Sequence, residues 1–378
     1  MRVLVQGWRG INHSYALVNQ YQLLEMLNDQ RLVLTHQDLP FFHAHWNPVA
    51  NASGFDADSL RKIAAIPPPD GTSPDILYRI GFPYRLHGGE ARRIFVFGTS
   101  ETQTITPQHI YQGPEAQRLY ANSDFEIVTP SQWSKVGFIN AGYREERVHV
   151  VPHGVDMSVF RPLTREERLE ARRQNGIRDD MFVFANVGSV VNSKGVDILL
   201  LAFDAIHRKY PHTVLLLKDQ RNLYATNAEA LIAAMAVEDP KRFAPGALES
   251  IIVVDANLDL EMLRVTYCLA DAYVSPYRSE GFNIPPLEAA ACGLPVLMTS
   301  GGATNDYAHP SFALKIASTR RSRGADVILE PDLDSTIAGM EALIEGRSGT
   351  NPAEARAWIG QNFTWAKATE QLIALFGA

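Results

Sequence analysis

The stretch SPYRSEGFNIPPLEAAACGLPVLMTSGG, Ser275–Gly302, decides the fold because it joins a strand pattern to a helical one. Pro285 and Pro286 lack backbone donors and suit the first turn of a helix, so a helix is predicted to begin in IPPLEAAAC. The apolar run DAYVSP just before predicts a strand. In a parallel sheet the functional crevice lies beyond the carboxyl ends of the strands, so Glu280 is expected to lie in such a crevice.

The rest of the chain repeats this alternation of short apolar runs with helical patterns, which predicts α/β architecture with parallel, doubly wound sheets. Further apolar runs are TVLLLK, SIIVVDA, AYVSP and PVLMTS. For the first sheet and the start of the second, the predicted strands are Arg2–Gln6, Leu32–Leu34, Ile76–Arg79, Ile94–Phe97, Phe125–Thr129, His149–Val151 and Met181–Asn186.

A chain of 378 residues suits two domains. The turn signal His153-Gly154, followed by Pro162 and a charged helical segment, places the hinge between the two sheets. We therefore predict domains at 1–165 and 173–361. The final segment, 362–378, has an apolar helical stripe and is predicted to pack back on the first domain.

Composition excludes several classes of protein. The formal net charge is −7 and basic residues form no long run, which argues against nucleic-acid binding and against a polybasic membrane patch. No apolar run is long enough for a transmembrane segment or a signal peptide, so a cytoplasmic location, or one at the inner face of the membrane, is expected. Cys268 and Cys292 lie in apolar helical stretches and are predicted to be buried free thiols.

The loop before the predicted helix has the elements of a nucleotide-sugar site. Backbone N–H groups at Gly281, Phe282, Asn283 and Ile284 precede a helix start, where phosphate binds readily. Two carboxylates would repel a bare phosphate, but they can accept hydrogen bonds from sugar hydroxyls. Taken alone, Glu288 also fits a simpler role as an acid in the first helical turn.

This segment resembles the E-x7-E signature of retaining glycosyltransferases of the GT-B fold, close to family 4 of that classification. The resemblance implies two Rossmann-like domains facing each other across a cleft. It also implies that Glu280 contacts the transferred sugar, that Glu288 binds the ribose hydroxyls, and that the amides of Gly281–Asn283 meet sugar and diphosphate. Many relatives have Gly at the position of Asn283.

A second motif, ANVGSVVNSKGVDILLLAF, is similar to the family's strand, loop and helix that hold the diphosphate. Lys194 matches the usual lysine, whereas Ser189, after Gly188, stands where the family has an arginine. Lys218, at the end of the next predicted strand, is a candidate replacement for that charge, with a surface lysine as the alternative. Asn257 and Leu258 are the predicted contacts to the base.

In the first domain the resemblance holds only in outline, and the acceptor side is assigned to Gly7, Gly10, His13, Glu101 and His153. Glu101 is a candidate for orienting an acceptor hydroxyl. The predicted catalytic residues are therefore Glu280, Lys194, Lys218 and Glu101. Each has a plainer alternative: a helix cap for His13, a structural histidine for His153 and a solvated acid for Glu101.

We expect no metal and no cofactor beyond the sugar donor. His43 and His45 have metal-like spacing but no third ligand nearby. The pair Asp56 and Asp58 resembles the DxD of metal-dependent transferases but precedes a helix instead of following a strand.

The predicted function is a retaining, metal-independent glycosyltransferase. It would move a sugar from a UDP- or GDP-linked donor to a hydroxyl of a glycan, a protein or a lipid-linked acceptor. A nucleotide-sugar epimerase and a non-catalytic nucleotide-sugar binding module are the alternatives, the second because of the charge missing at Ser189. An NAD-dependent oxidoreductase is disfavoured because no G-x-G-x-x-G follows a strand. Donor base, acceptor and oligomeric state are left open.

Overall fold

The computed structural model describes residues 1–113, 115, 124–224, 226–239 and 242–378. The chain divides into two compact units, the first containing Met1–Gly154 and Phe363–Ala378 and the second containing Val155–Asn362. Each unit is built on a six-stranded parallel sheet, which confirms the α/β prediction.

The first unit has the strand order β2-β1-β3-β4-β5-β6. From β1 the chain adds β2 on one side and then β3 to β6 on the other, as expected for a doubly wound sheet. Its strands and helices are β1 Arg2–Gly7, α1 Ser14–Leu27, β2 Val33–Asp38, α2 Ala57–Ala64, β3 Ile76–Ile80, β4 Arg93–Phe97, β5 Glu126–Thr129, α3 Gln132–Asn140 and β6 Val148–Val150.

The C-terminal helix of the chain belongs to this first unit, as predicted. It runs from Trp365 to Gly377, is labelled α12 below, and buries one face that includes Leu372 and Phe376. The Trp365 ring stacks on Tyr21 of α1 with centroids 4.7 Å apart. Arg93 of β4 donates hydrogen bonds to backbone oxygens in the last turn of α12.

The second unit has the strand order β12-β11-β10-β7-β8-β9. Its elements are α4 Arg165–Gln174, β7 Phe182–Val187, α5 Val196–Lys209, β8 Thr213–Lys218, α6 Arg221–Tyr224, α7 Ala228–Glu238, β9 Ile251–Val254, α8 Leu260–Leu269, β10 Ala272–Ser275, α9 Pro285–Ala291, β11 Val296–Thr299, β12 Ala313–Ile316, β13 Ser318–Arg323, β14 Asp326–Pro331, α10 Leu333–Ile344 and α11 Pro352–Asn362.

The core of the second unit explains its parallel sheet. Every residue of β8 is buried, as expected for a strand that is covered on both faces. Leu199 and Phe203 of α5 and Met340 of α10 pack in one apolar cluster with the sheet. One feature was not predicted: β13 and β14 form a separate antiparallel hairpin.

The first unit ends at Gly154, before the predicted boundary at residue 165. The segment after Gly154 instead packs within the second unit. The Phe160 ring lies 6.0 Å from Tyr267, and Arg264 donates a hydrogen bond to Arg161 O at 2.8 Å. The predicted start at 173 is likewise late, because α4 is tied to the second sheet by Arg168 and Asp271 at 2.6 Å.

We expect Gly154→Ala to destabilise the first unit. A Cβ at residue 154 would overlap the backbone of Thr364 and Trp365, where the chain returns to this unit. The backbone would have to shift, which costs about 1–3 kcal/mol. The midpoint of urea unfolding measures the loss.

Gly360→Ala is the matched control, since Gly360 lies in α11 with open space around a Cβ. Alanine in a helix is better than glycine by about 1 kcal/mol, so this variant should be slightly stabilised. Equal losses in both variants would contradict the packing argument.

Candidate functional site

The candidate site lies where the strand order of the second sheet reverses. From β7 the chain proceeds to β8 and β9 on one side and later to β10, β11 and β12 on the other. Strands β7 and β10 are parallel neighbours, so their carboxyl ends meet at one edge of the sheet. Open α/β sheets bind their ligands at this position.

The loop after β7 is held close to the end of β10. Gly195 has φ +65° and ends a 3₁₀ turn, Asn192–Lys194. A Cβ at Gly195 would overlap the carbonyl oxygen of Pro276. Glycine therefore serves both the left-handed backbone and the close approach of the two loops.

This approach brings Lys194 to Glu280. The Lys194 ammonium donates a hydrogen bond to Glu280 Oε1, and the two side chains form an ion pair. Glu280 is only 5% exposed, whereas the side chain of Lys194 is 29% exposed. A buried carboxylate needs such a partner, because removing one member of a buried pair typically costs about 3–5 kcal/mol.

Asn283 explains how a residue other than glycine fits the loop before α9. Its φ is +71°, a conformation that asparagine tolerates better than most residues. Asn283 Nδ2 donates to Ser275 Oγ at 3.1 Å, and Asn283 O accepts from the Tyr307 hydroxyl at 2.6 Å. The Phe282 and Tyr307 rings lie 5.0 Å apart, so the predicted segment Gly281–Ile284 has a defined conformation.

Glu288 lies in the first turn of α9, as predicted. Its Oε2 accepts a hydrogen bond from the Tyr267 hydroxyl at 2.8 Å. Burial raises the pKa of Glu288 to about 7, although this hydrogen bond acts in the opposite direction. The carboxyl therefore changes charge near neutral pH, which sets it apart from an ordinary solvated helix acid.

Lys218 ends β8 and is buried, so the plain alternative of a surface lysine is wrong. Its ammonium group donates to the backbone oxygen of Asp219. Burial lowers the pKa of Lys218, while Asp219 and Asp255 act to raise it. The main chain of Lys218 also helps to shape the site, because Lys218 O accepts a hydrogen bond from Gly188 N at 3.0 Å.

The other predicted contacts of the second unit occupy loops at the same edge. Ser189 is buried beside Gly188, whose φ is +148°. Asn257 and Leu258 follow β9, the outer strand of the sheet, and Asn257 is exposed. Their role as base contacts stays a prediction.

In the first unit, His13 caps α1, since its Nδ1 accepts from Tyr15 N at 3.2 Å. Burial and the nearby His43 lower the pKa of His13 to about 3. His153 is buried between Phe97 and Trp365, and burial lowers its pKa to about 3. Both rings are therefore neutral near pH 7.

Gly7 and Gly10 have structural reasons to be glycine. A Cβ at Gly7 would overlap Ile80 and Asn19, and Gly10 has φ +81°. Glu101 is exposed in the loop after β4, and its backbone oxygen accepts from the Trp133 indole at 2.8 Å. An acceptor-side role for these residues stays a prediction.

The residues weighed as metal ligands have other contacts. Asp56 caps α2, Asp58 pairs with Lys62 at 2.8 Å, and the His43 and His45 rings stack 5.3 Å apart. Among the residues that the structure describes, no group of three or more His, Cys, Asp or Glu side chains is arranged to hold a metal ion. Cys268 and Cys292 are buried and free, as predicted.

Sequence reasoning missed two features. Arg278 is buried two residues before Glu280 and pairs with Asp197 and Glu330. A charged residue inside SPYRSE was the available signal. The first unit also has a groove of about 350 Å³ whose lining includes Gln37, Arg85 and Tyr111. Because strands far apart in sequence build it, no local motif revealed it.

Comparison with known proteins agrees with this arrangement. Residues 167–314 match the family described as Glycosyl transferases group 1. The chain is similar to a D-inositol 3-phosphate glycosyltransferase of Actinosynnema mirum, with 30% identity over 276 residues that cover 70% of this chain and 58% of that protein. The protein of the same name from Segniliparus rotundus is 27% identical over 266 residues, which cover 70% of this chain and 53% of that one. The chain thus spans between half and three fifths of the length of these curated relatives.

Two solved structures share the fold. One is a glycosyltransferase from Rickettsia africae ESF-5, with a TM-score of 0.68, 12% identity, and coverage of 99% of this chain and 97% of that one. The other is Anabaena Alr3699/HepE in complex with UDP-glucose, with a TM-score of 0.67, 16% identity, and coverage of 100% and 99%. With the two parallel sheets, these similarities confirm the GT-B fold class. No helix in the described part of the chain combines the length and the apolar character needed to cross a membrane.

The raised pKa of Glu288 predicts a pH-dependent stability. Glutamate in an unfolded chain titrates near about 4.3, whereas folded Glu288 keeps its proton until about pH 7. The folded state binds more protons in this window, so its stability falls as pH rises from about 4.3 to 7.

The test compares Glu288→Gln, which cannot ionise but can still accept from Tyr267, with the unchanged protein. From about pH 5 to about pH 8, urea unfolding should show the variant gaining roughly 2–3 kcal/mol relative to the unchanged protein. A difference that is the same at both pH values would contradict the raised pKa.

The backbone at Asn283 gives a second prediction. Asn283→Ala should lose about 1–2 kcal/mol, because alanine resists positive φ. Asn283→Gly should lose less, since it forfeits the hydrogen bond to Ser275 but not the conformation. Thermal unfolding of both variants measures the order, and a glycine variant less stable than the alanine variant would contradict the strain argument.

Proposed function

We propose that this chain, whose residues 167–314 match the family described as Glycosyl transferases group 1, transfers a sugar from a nucleoside-diphosphate sugar to an acceptor hydroxyl. The finer parts of the proposal are a UDP- or GDP-linked donor, retention at the anomeric carbon and no metal requirement. The acceptor is a hydroxyl of a glycan, a protein or a lipid-linked molecule.

The observation that carries the proposal is the Lys194–Glu280 ion pair at the reversal of the second sheet. A diphosphate that enters there competes with Glu280 for the ammonium group of Lys194. When Lys194 turns to the phosphate, Glu280 is left to accept hydrogen bonds from the hydroxyls of the sugar. One pair thus provides both a cation for the leaving group and an acceptor for the transferred ring.

The neighbouring groups complete the donor site in this proposal. The amides of Gly281–Asn283 face the sugar and the diphosphate, and Glu288 accepts from the ribose hydroxyls. Gly188, Ser189, Ile284 and the predicted base contacts Asn257 and Leu258 surround them. In this proposal Lys218 supplies the positive charge that the family resemblance implies at the position of Ser189.

The proposed chemical step needs no covalent intermediate with the protein. The acceptor oxygen forms a bond to the anomeric carbon on the face from which the diphosphate leaves. The carbon–oxygen bond to the diphosphate breaks, and the proton of the acceptor passes to a departing phosphate oxygen. Glu101 orients the acceptor hydroxyl, and orientation together with charge stabilisation lowers the barrier.

We expect nucleoside diphosphates to raise the melting temperature of the protein. A thermal-shift screen would use UDP, GDP, ADP and their sugars, since a ligand of the folded state stabilises by about 2.7 kcal/mol at one hundred times its Kd. Lys194→Met/Glu280→Gln removes both charges of the pair and should weaken binding about 100-fold. EDTA should leave the shift unchanged.

Lys209→Met is the control, because Lys209 forms an exposed ion pair with Glu341 in the same unit. This variant should retain the full thermal shift. No shift with any of the nucleotides, or the same loss in the control, would overturn the proposed donor site.

Turnover separates transfer from the alternatives. D-inositol 3-phosphate, which the names of the curated relatives carry, is the first acceptor to test, followed by glycans and lipid-linked sugars. A transferase releases nucleoside diphosphate with an acceptor present, and Glu280→Gln should abolish the release. Conversion of the donor into an epimer would instead support an epimerase. Donor binding without turnover would support a binding module.

A further inference from the structure

Arg278 is an extensively hydrogen-bonded side chain beside the candidate site. It is 5% exposed, and its guanidinium forms a two-pronged ion pair with Asp197, both nitrogen–oxygen distances being 2.7 Å. Its Nε also donates a hydrogen bond to Glu330 Oε1 at 3.0 Å. The hydrogen bonds that Arg278 donates to the carboxylates of Asp197 and Glu330 raise its pKa, so the guanidinium is positively charged near neutral pH.

The main chain of Arg278 joins the same segments. Arg278 N and Ser279 N both donate to Ser193 O, at 2.7 and 3.2 Å. Arg278 O accepts from Leu329 N at 2.8 Å, and the guanidinium also donates to Asn192 O at 3.1 Å. One residue therefore joins the loop after β7, the loop after β10 and the hairpin strand β14.

These segments carry the Lys194–Glu280 ion pair. Lys194 lies between Asn192 and Asp197, both of which Arg278 binds, and Glu280 is two residues beyond Arg278. We propose that Arg278 is a positioning residue that sets the distance between Lys194 and Glu280, and that the β13–β14 hairpin contributes to the site through Glu330. As a statement about the donor site, this inference rests on the proposed function.

The charges show that Arg278 acts through other residues and is not itself the cation for a phosphate. Its single positive charge is met by two carboxylates, Asp197 and Glu330. It therefore does not replace the arginine that the family resemblance implies at the position of Ser189. What it supplies is geometry, because its planar guanidinium holds Asp197 through two parallel hydrogen bonds and also donates to Glu330 and to Asn192 O, whereas a lysine ammonium has three donors on a flexible stem.

The chain offers a matched control at the other end of the same two strands. Arg172 is 2% exposed and donates to Asp271 at 2.6 Å, to Leu269 O at 2.9 Å and to Met181 O at 3.1 Å. Met181 precedes β7, and Asp271 precedes β10. Arg172 thus resembles Arg278 in burial and bonding but joins the amino ends of the strands instead of the carboxyl ends.

The test compares Arg278→Lys with Arg172→Lys in the full chain without ligand. Both keep the positive charge and lose the guanidinium, so both should lower the melting temperature. Hydrogen exchange followed by mass spectrometry should show faster exchange in residues 189–195 and 276–283 of Arg278→Lys. In Arg172→Lys these residues should exchange as in the unchanged protein.

Unchanged exchange in Arg278→Lys, or equal acceleration in Arg172→Lys, would overturn the inference. If Arg278→Lys fails to fold, Asp197→Asn takes its place with the same expected result. Glu330→Gln tests the hairpin: it should accelerate exchange in 276–283, and no change there would overturn the contribution of the hairpin.

Binding of UDP and GDP by calorimetry links the geometry to the donor. A positioning residue predicts that Arg278→Lys loses about tenfold or more in affinity while Arg172→Lys does not. Full retention of affinity in Arg278→Lys would overturn its role at the donor site. If the unchanged protein binds neither nucleotide but the exchange pattern appears, the proposed function fails and the positioning of the pair stands.

Discussion

The close approach of two loops at Gly195 and Pro276 is the constraint on which the candidate site depends. The parallel pairing of β7 with β10 brings the carboxyl ends of both strands to one edge. A glycine at 195 lets the backbones come near enough for the side chain of the preceding residue, Lys194, to reach Glu280. The reversal of strand order thus sets the position of the site in the sheet. The absence of a Cβ at Gly195 allows the Lys194–Glu280 ion pair to form there.

Most of the layered architecture could be predicted because it depends on local patterns. Uninterrupted apolar runs such as TVLLLK reveal a strand that is buried on both faces, and β8 covers the same residues. Serine is a common residue just before a helix, and Ser131 caps α3 by accepting from Ser134 N at 3.0 Å. Paired prolines predicted the start of α9. In each case the signal lies within a few residues of the structure that it predicts.

The features that could not be predicted depend on partners distant in sequence. The hairpin β13–β14 has an exposed strand, STRRSR, without the apolar alternation that marks a half-buried strand. The position of Lys218 at the end of a strand is also typical of a surface lysine. It is buried at the end of β8, which lies between β7 and β9 in the sheet. Arg278 binds Asp197 from more than eighty residues away along the chain. A buried charged residue can be predicted from a sequence only when its partners are known, because pairing has to offset the cost of desolvation.

Three ionisable side chains at the site differ in the partners that compensate their charge. Arg278 is satisfied by two carboxylates and is fixed. Lys194 is paired with Glu280, but 29% of its side chain is exposed, and this exposure is why we propose that a diphosphate can replace the carboxylate. Glu288 has a tyrosine hydroxyl instead of a cation, and burial consequently moves its pKa to about 7. The three side chains thus differ in the number and charge of their partners, and this difference is compatible with the proposed nucleoside-diphosphate sugar, which presents both negative charges and hydroxyls.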